Sequence, residues 1–121
     1  GVIMAYDSTN IFARILRGEI PCKKVYEDEH ALAFYDIAPS APVHVLVIPK
    51  GQYRHYDDFL SKASQQEIAG YFGAVRTVAQ QLGVADAFRL ITNNGAKVGQ
   101  SVDHFHMHIL GGRSLGALVA D

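Results

Sequence analysis

The sequence has one cysteine, Cys22, and no tryptophan. A lone cysteine excludes an intrachain disulfide and any zinc cluster built on paired thiolates, and it fits a reducing, cytoplasmic setting. There is no excess of charge. Eleven basic and 12 acidic residues give a formal net charge of −1, so no general attraction to nucleic acid or to an anionic membrane is expected. No apolar run is long enough to span a bilayer. Val2-Ile3-Met4-Ala5 is too short for a signal peptide, and Asp7 follows at once. Gly1 is not an initiator residue, so Gly1-Val2-Ile3 reads as a remnant ahead of a native start at Met4. Linkers, repeats and low-complexity tracts are absent, and 121 residues suit one domain with a single core.

Histidine, by contrast, is concentrated. Three of the six histidines fall in His104-Phe105-His106-Met107-His108-Ile109-Leu110, at every second position, with apolar residues between them. Such alternation predicts a half-buried strand. Its imidazoles share one face about 6.5–7 Å apart, and Phe105, Met107 and Ile109 anchor the other.

Along the chain, Thr9 or Asn10 can cap a short helix carrying Ile11, Phe12, Ile15 and Leu16, closed by Gly18. Residues 25–27 and 31–35 read as a hairpin. Residues 36–42 form a loop with two of the four prolines. Residues 43–48, apolar except for His44, read as a central strand ended by Pro49-Lys50-Gly51. One helical turn is expected near residues 57–60. Ser64-Gln65-Gln66-Glu67 has the form of a capping box. Behind it Ile68, Tyr71, Phe72, Val75, Val78, Ala79 and Leu82 keep the spacing of an amphipathic helix up to Gly83. Residues 88–92 read as a strand and 93–101 as a glycine-bearing loop into the histidine strand. The sum is an α+β domain on an antiparallel sheet with two main helices.

A single strand histidine is usually structural; three at period two pose desolvation and repulsion problems if charged and point to chemistry. Metal binding is one option, with His44 helping a pair from the run. However, no carboxylate is well placed within the motif, and same-face imidazoles on a flat strand do not converge easily on one ion. The other option is phosphate chemistry. Asn93, Gly99, Gln100 and Ser101 lie just upstream, glycine lets backbone approach an anion, and amide and hydroxyl groups add donors. A neutral imidazole beside a phosphate is a competent nucleophile, and a neighbouring one can pass a proton to the leaving group.

The run His104-Phe105-His106-Met107-His108-Ile109-Leu110 resembles the signature of the histidine triad (HIT) family. So do Gly99-Gln100-Ser101-Val102-Asp103-His104, Leu110-Gly111-Gly112-Arg113, Asp36-Ile37-Ala38-Pro39-Ser40-Ala41-Pro42, His44-Val45-Leu46-Val47-Ile48-Pro49-Lys50, and Ile11-Phe12-x-x-Ile15 ahead of Gly18-Glu19-Ile20-Pro21. The order of motifs is similar to the histidine triad nucleotide-binding branch from residue 10 to residue 113. The resemblance implies a HIT-like fold of five antiparallel strands and two main helices, with residues 1–9 as an extension and 114–121 as a tail. It implies a homodimer formed through the long helix and a sheet edge.

It also implies a purine nucleotide site and cleavage of nucleoside 5′-phosphoramidates. His106 would be the nucleophile, His108 would contact the phosphate, and His104 and His44 would fix and polarise the site. Asp36 would accept from the ribose hydroxyls. Ile37, Phe34, Phe12, Ile11 and Ile15 would border the base, and Asn93, Gly99, Gln100 and Ser101 would hold the phosphate and leaving group. No metal or cofactor is implied. His108, where transferases of the superfamily typically carry glutamine, favours hydrolysis. Dinucleoside polyphosphate hydrolysis and nucleotide binding as a scaffold are the alternatives. The tail after Arg113 lacks the tryptophan-and-proline ending of animal members and looks more like bacterial ones. His30 and His55 fall outside the pattern and are expected on a solvated surface.

Overall fold

Strand β3 (Val43–Pro49) is buried almost throughout, the pattern of a strand covered on both faces. It lies at the centre of a five-stranded antiparallel sheet of order β1-β2-β3-β5-β4, with β1 at Lys24–Glu27, β2 at Ala31–Tyr35, β4 at Phe88–Ile91 and β5 at Met107–Gly111. The computed structural model describes residues 5–120; the expected start at Met4 falls outside them.

Strand alternation sorts the core into two layers. On one face Ala31, Ala33, Val45, Val47, Phe105, Met107 and Ile109 meet the long helix α3 (Gln65–Gln81) and Phe59 of α2 (Tyr56–Lys62). Alanines on β2 let α3 approach closely, and the buried Tyr71 hydroxyl donates to the Val47 carbonyl at 2.8 Å. On the other face Leu32, Phe34, Leu46 and Ile48 meet Phe12 of α1 (Ile11–Leu16). Ser64 caps α3 in a complete capping box with Glu67. The helical turn expected near residues 57–60 is the whole of α2, capped by the His55 side chain.

The histidine strand is shorter than its alternation predicts. Its ladder with β3 runs from Val43↔Gly111 to Val47↔Met107. Continued, that register sets Phe105 against Pro49, which has no N–H to offer. The Phe105 N–H turns instead to the Tyr53 carbonyl at 2.7 Å. His104 and His106 therefore precede the strand, and only His108 lies on it. After β5, Gly112 turns the chain at φ +91°, and a Cβ there would stand 2.9 Å from Pro42, so a side chain would meet both strain and collision.

Candidate active site: four histidines on one sheet face

His44 on β3 and His104, His106 and His108 before and on β5 share the α1 face of the sheet. His44 and His108 stand 5.1 Å apart between ring centres, and His106 and His108 5.2 Å. The rings are closer than a flat strand would set them. Phe12 packs edge-on against His106 at 5.0 Å, which walls the ring off from bulk water.

Hydrogen bonds fix each tautomer. The Ser40 N–H donates to Nδ1 of His44 at 3.0 Å, so His44 carries its proton on Nε2. That N–H points at Nδ1 of His108, 2.9 Å away, and leaves His108 with its own proton on Nε2. Nδ1 of His106 donates to the His104 carbonyl at 2.8 Å, leaving the lone pair of a neutral ring on Nε2. Nε2 of His104 donates to the Pro49 carbonyl at 2.9 Å.

Burial favours the neutral form of His104, His106 and His108. Burial pushes His104 down to about 4, against the opposing pull of its Pro49 bond. Burial, with His106 and His44 as neighbours, pushes His108 down to about 4, and Asp36 opposes it. Burial also lowers His106, opposed by its bond to the His104 carbonyl and by Asp36.

A cleft of about 820 Å³ opens beside His44. Ile11, Ile15, Phe34, Asp36 and Ile37 line it, as do Ile20, Pro21, Cys22, Lys23 and Tyr35. Ile37 is 98% exposed at its rim, an apolar side chain with nothing of the described chain on it. Phe12 is not in the cleft wall; it stands behind, between Phe34 and His106. Asp36 uses one oxygen for the Ala38 N–H and sets the other 3.5 Å from Nε2 of His44.

The loop ahead of the histidines is less open to an anion than its composition suggests. Gly99 and Gln100 spend their backbone N–H groups on Ala96 and Gly95 within a short 3₁₀ turn. The Gln100 amide donates to the Arg54 and Val102 carbonyls and accepts from the Gly95 N–H. It thus locks the loop. The side chains of Asn93 and Ser101 make no hydrogen bond among the described residues and remain available as donors.

Two further points differ from the sequence reading. A carboxylate does reach the histidines: Asp36, His44 and His108 bring ligand atoms within 4.8 Å of one another, a grouping able to hold a metal ion. Yet His44 and His108 already share a proton along their 2.9 Å contact, which an ion bound between them would have to displace. His30 and His55 are half-buried rather than solvated. Nδ1 of His55 accepts from the Asp58 N–H to cap α2, and the His30 ring lies against Gly70 of α3, where a Cβ would collide with it.

The sequence reading missed Tyr6, whose hydroxyl sits 2.6 Å from Nδ1 of His104. The signal available was Asp7 and Asn10, residues that close turns and caps. They form an Asx turn on Thr9 and the cap of α1, and so bring residue 6 back over the sheet.

The description "HIT domain" matches residues 17–115. A 13.2 kDa HIT-like protein of Azospirillum brasilense is 56% identical over 115 residues, covering 94% of this chain and 94% of the relative. A 14 kDa zinc-binding protein of Zea mays is 46% identical over 112 residues, covering 90% and 86%. The solved structure of a HIT family hydrolase from Clostridium thermocellum superposes with a TM-score of 0.81 at 38% identity, covering 93% of this chain and 97% of that one. The α+β fold and its five-stranded antiparallel sheet agree with these relatives, and on the match across most of its length the chain belongs to the HIT family.

Proposed function

We propose that the chain is a nucleoside phosphoramidase: it binds a purine nucleoside 5′-phosphoramidate and cleaves its P–N bond through a nucleotidyl-histidine. The observation that carries this reading is the pairing of a lone-pair nitrogen and a donor nitrogen on adjacent rings. Nε2 of His106 is free to attack, and Nε2 of His108 carries a proton, each set by the bond at the opposite nitrogen. Attack forms a P–N bond to His106 and breaks the bond to the amine, whose nitrogen takes its proton from solvent, while the Nε2–H of His108 donates a hydrogen bond to a phosphoryl oxygen and stays protonated. The His104 carbonyl then stabilises the cationic His106 adduct through Nδ1–H. Water cleaves the adduct and releases the nucleoside monophosphate, so one hard displacement becomes two easier ones.

The base would lie in the apolar cleft against Ile11, Ile15, Phe34 and Ile37, with Phe12 supporting the nucleophile from behind. Asp36 would take the ribose hydroxyls at the cleft floor. Asn93 and Ser101 would meet the phosphate, while Gly99 and Gln100 shape the loop that presents them. Nothing in this path needs a metal ion at the Asp36, His44 and His108 grouping.

A homodimer forms part of the proposal. Strand β4 is an edge of the sheet, and a groove beside it is lined by Phe72, Val75 and Ala79 of α3 and by Phe88 and Leu90, an apolar surface that a second copy would cover.

The test is hydrolysis of adenosine 5′-phosphoramidate, followed as AMP release in the presence of a chelator, beside His106→Ala. The parent chain is expected to turn over and the variant to lose activity by orders of magnitude while still binding AMP. Binding without turnover in the parent would reject this substrate. Dinucleoside polyphosphates would then be tried, and a nucleotide-binding scaffold would become the better reading.

A further inference from the structure

His104 is fully buried and is held at both ring nitrogens. Its Nε2–H is committed to the Pro49 carbonyl, so Nδ1 carries the lone pair and the Tyr6 phenol is the donor across their 2.6 Å contact. The two rings meet edge to face at 5.7 Å. The backbone carbonyl of the same histidine accepts from Nδ1 of His106. The segment bearing Tyr6 is itself tied down. Asp7 accepts from both the N–H and the hydroxyl of Thr9, the Asn10 amide donates to the Asp7 carbonyl, and the Arg17 guanidinium donates to the Ser8 carbonyl at 2.9 Å. Burial raises the Tyr6 pKa and keeps the phenol a donor. Tyr6 does not line the cleft.

We propose that Tyr6 is a positioning residue for the nucleophile: by clamping His104 against Pro49 it fixes the carbonyl that holds His106 Nδ1–H, and so keeps the lone pair of His106 on Nε2. The role in catalysis rests on the reading of His106 as nucleophile; the clamp itself does not. Loss of the phenol leaves Nδ1 of His104 buried without a donor, and residue 104 can relax toward a new partner. A small misplacement of a reacting group lowers the chemical step without weakening substrate binding.

The test is Tyr6→Phe in the full chain, read by kinetics on adenosine 5′-phosphoramidate and by ¹⁵N spectra of the histidine rings. Expected are a roughly tenfold lower kcat with KM changed by less than about twofold, and a His106 ring that passes from one Nδ1–H tautomer to a mixture. An unchanged kcat with an unchanged His106 spectrum overturns the proposal. If the parent chain does not hydrolyse the probe, the proposed function fails and the spectra alone decide the clamp: a mixed His106 tautomer in Tyr6→Phe supports it, and a pure one overturns it. Should Phe at position 6 disturb folding, a fluorinated tyrosine keeps the shape and acidifies the phenol. The alkaline limb of kcat, or of the His106 tautomer population, then moves to lower pH; a limb that stays in place overturns the proposal.

Discussion

Burial sets the chemistry of the histidines more than their mutual contacts do, and this has a consequence for stability. His104 titrates near 6.5 when exposed to water and at about 4 in the fold. Between those values the unfolded chain binds more protons than the folded one, so stability rises with pH. The contribution is fully present above about 6.5, is lost as the pH falls, and is gone below about 4. For His104 alone the loss between pH 7 and pH 5 amounts to roughly 2 kcal/mol, and His108, shifted the same way, adds to it. Urea unfolding at the two pH values checks this: the midpoint should fall at pH 5, whereas an unchanged midpoint would mean that the rings take up protons as readily in the fold as in the unfolded chain. At this scale the sequence was informative about which residues meet. Period two placed His104, His106 and His108 on one face, and that survives where the ladder does not, because Phe105 still enters the opposite core layer. It was silent about tautomers, which depend on Ser40, Pro49 and the His104 carbonyl, groups that no side-chain pattern reveals.

The elements carry their own signals to different degrees. Helix α3 is legible end to end: Ser64 and Glu67 satisfy each other's orphan N–H groups at 3.0 and 3.3 Å. Ser64→Ala should cost about 1 kcal/mol, seen as a fall of about 4 °C in Tm; a shift below about 1 °C would show that the cap contributes little. Strand β5 is legible in face but not in length. Its early end depends on a proline that stands opposite in another strand, and pairing register between distant strands is not written locally. The loop from Asn93 to Ser101 reads as an anion nest by composition. In the fold it spends the Gly99 and Gln100 N–H groups internally, a matter of where a turn closes rather than of residue type. The segment ahead of α1 reads as an extension, yet it docks through Tyr6 on a residue 98 positions away, a contact beyond the reach of any local pattern.

For the molecule as a whole, the sheet ends at β4 with unpaired backbone and an apolar groove beside α3. Light scattering at micromolar concentration should return twice the chain mass, and Phe88→Glu, which sets a carboxylate in that groove, should lower it toward one. A parent chain of single mass would remove the dimer from the account. No helix among the described residues is long and apolar enough to cross a membrane. The opposite sheet face brings together the cleft, four histidine rings and the docked N-terminal segment, and the proposed function makes Nε2 of His106 its single attacking nitrogen. Stereochemistry at phosphorus tests that claim most directly. A phosphoramidate made chiral at phosphorus with sulfur and oxygen isotopes, hydrolysed in labelled water, reports the number of displacements. Two in-line steps through His106 give overall retention, which is the expected result. Overall inversion would mean that water attacks phosphorus directly, and His106 would then not be the nucleophile.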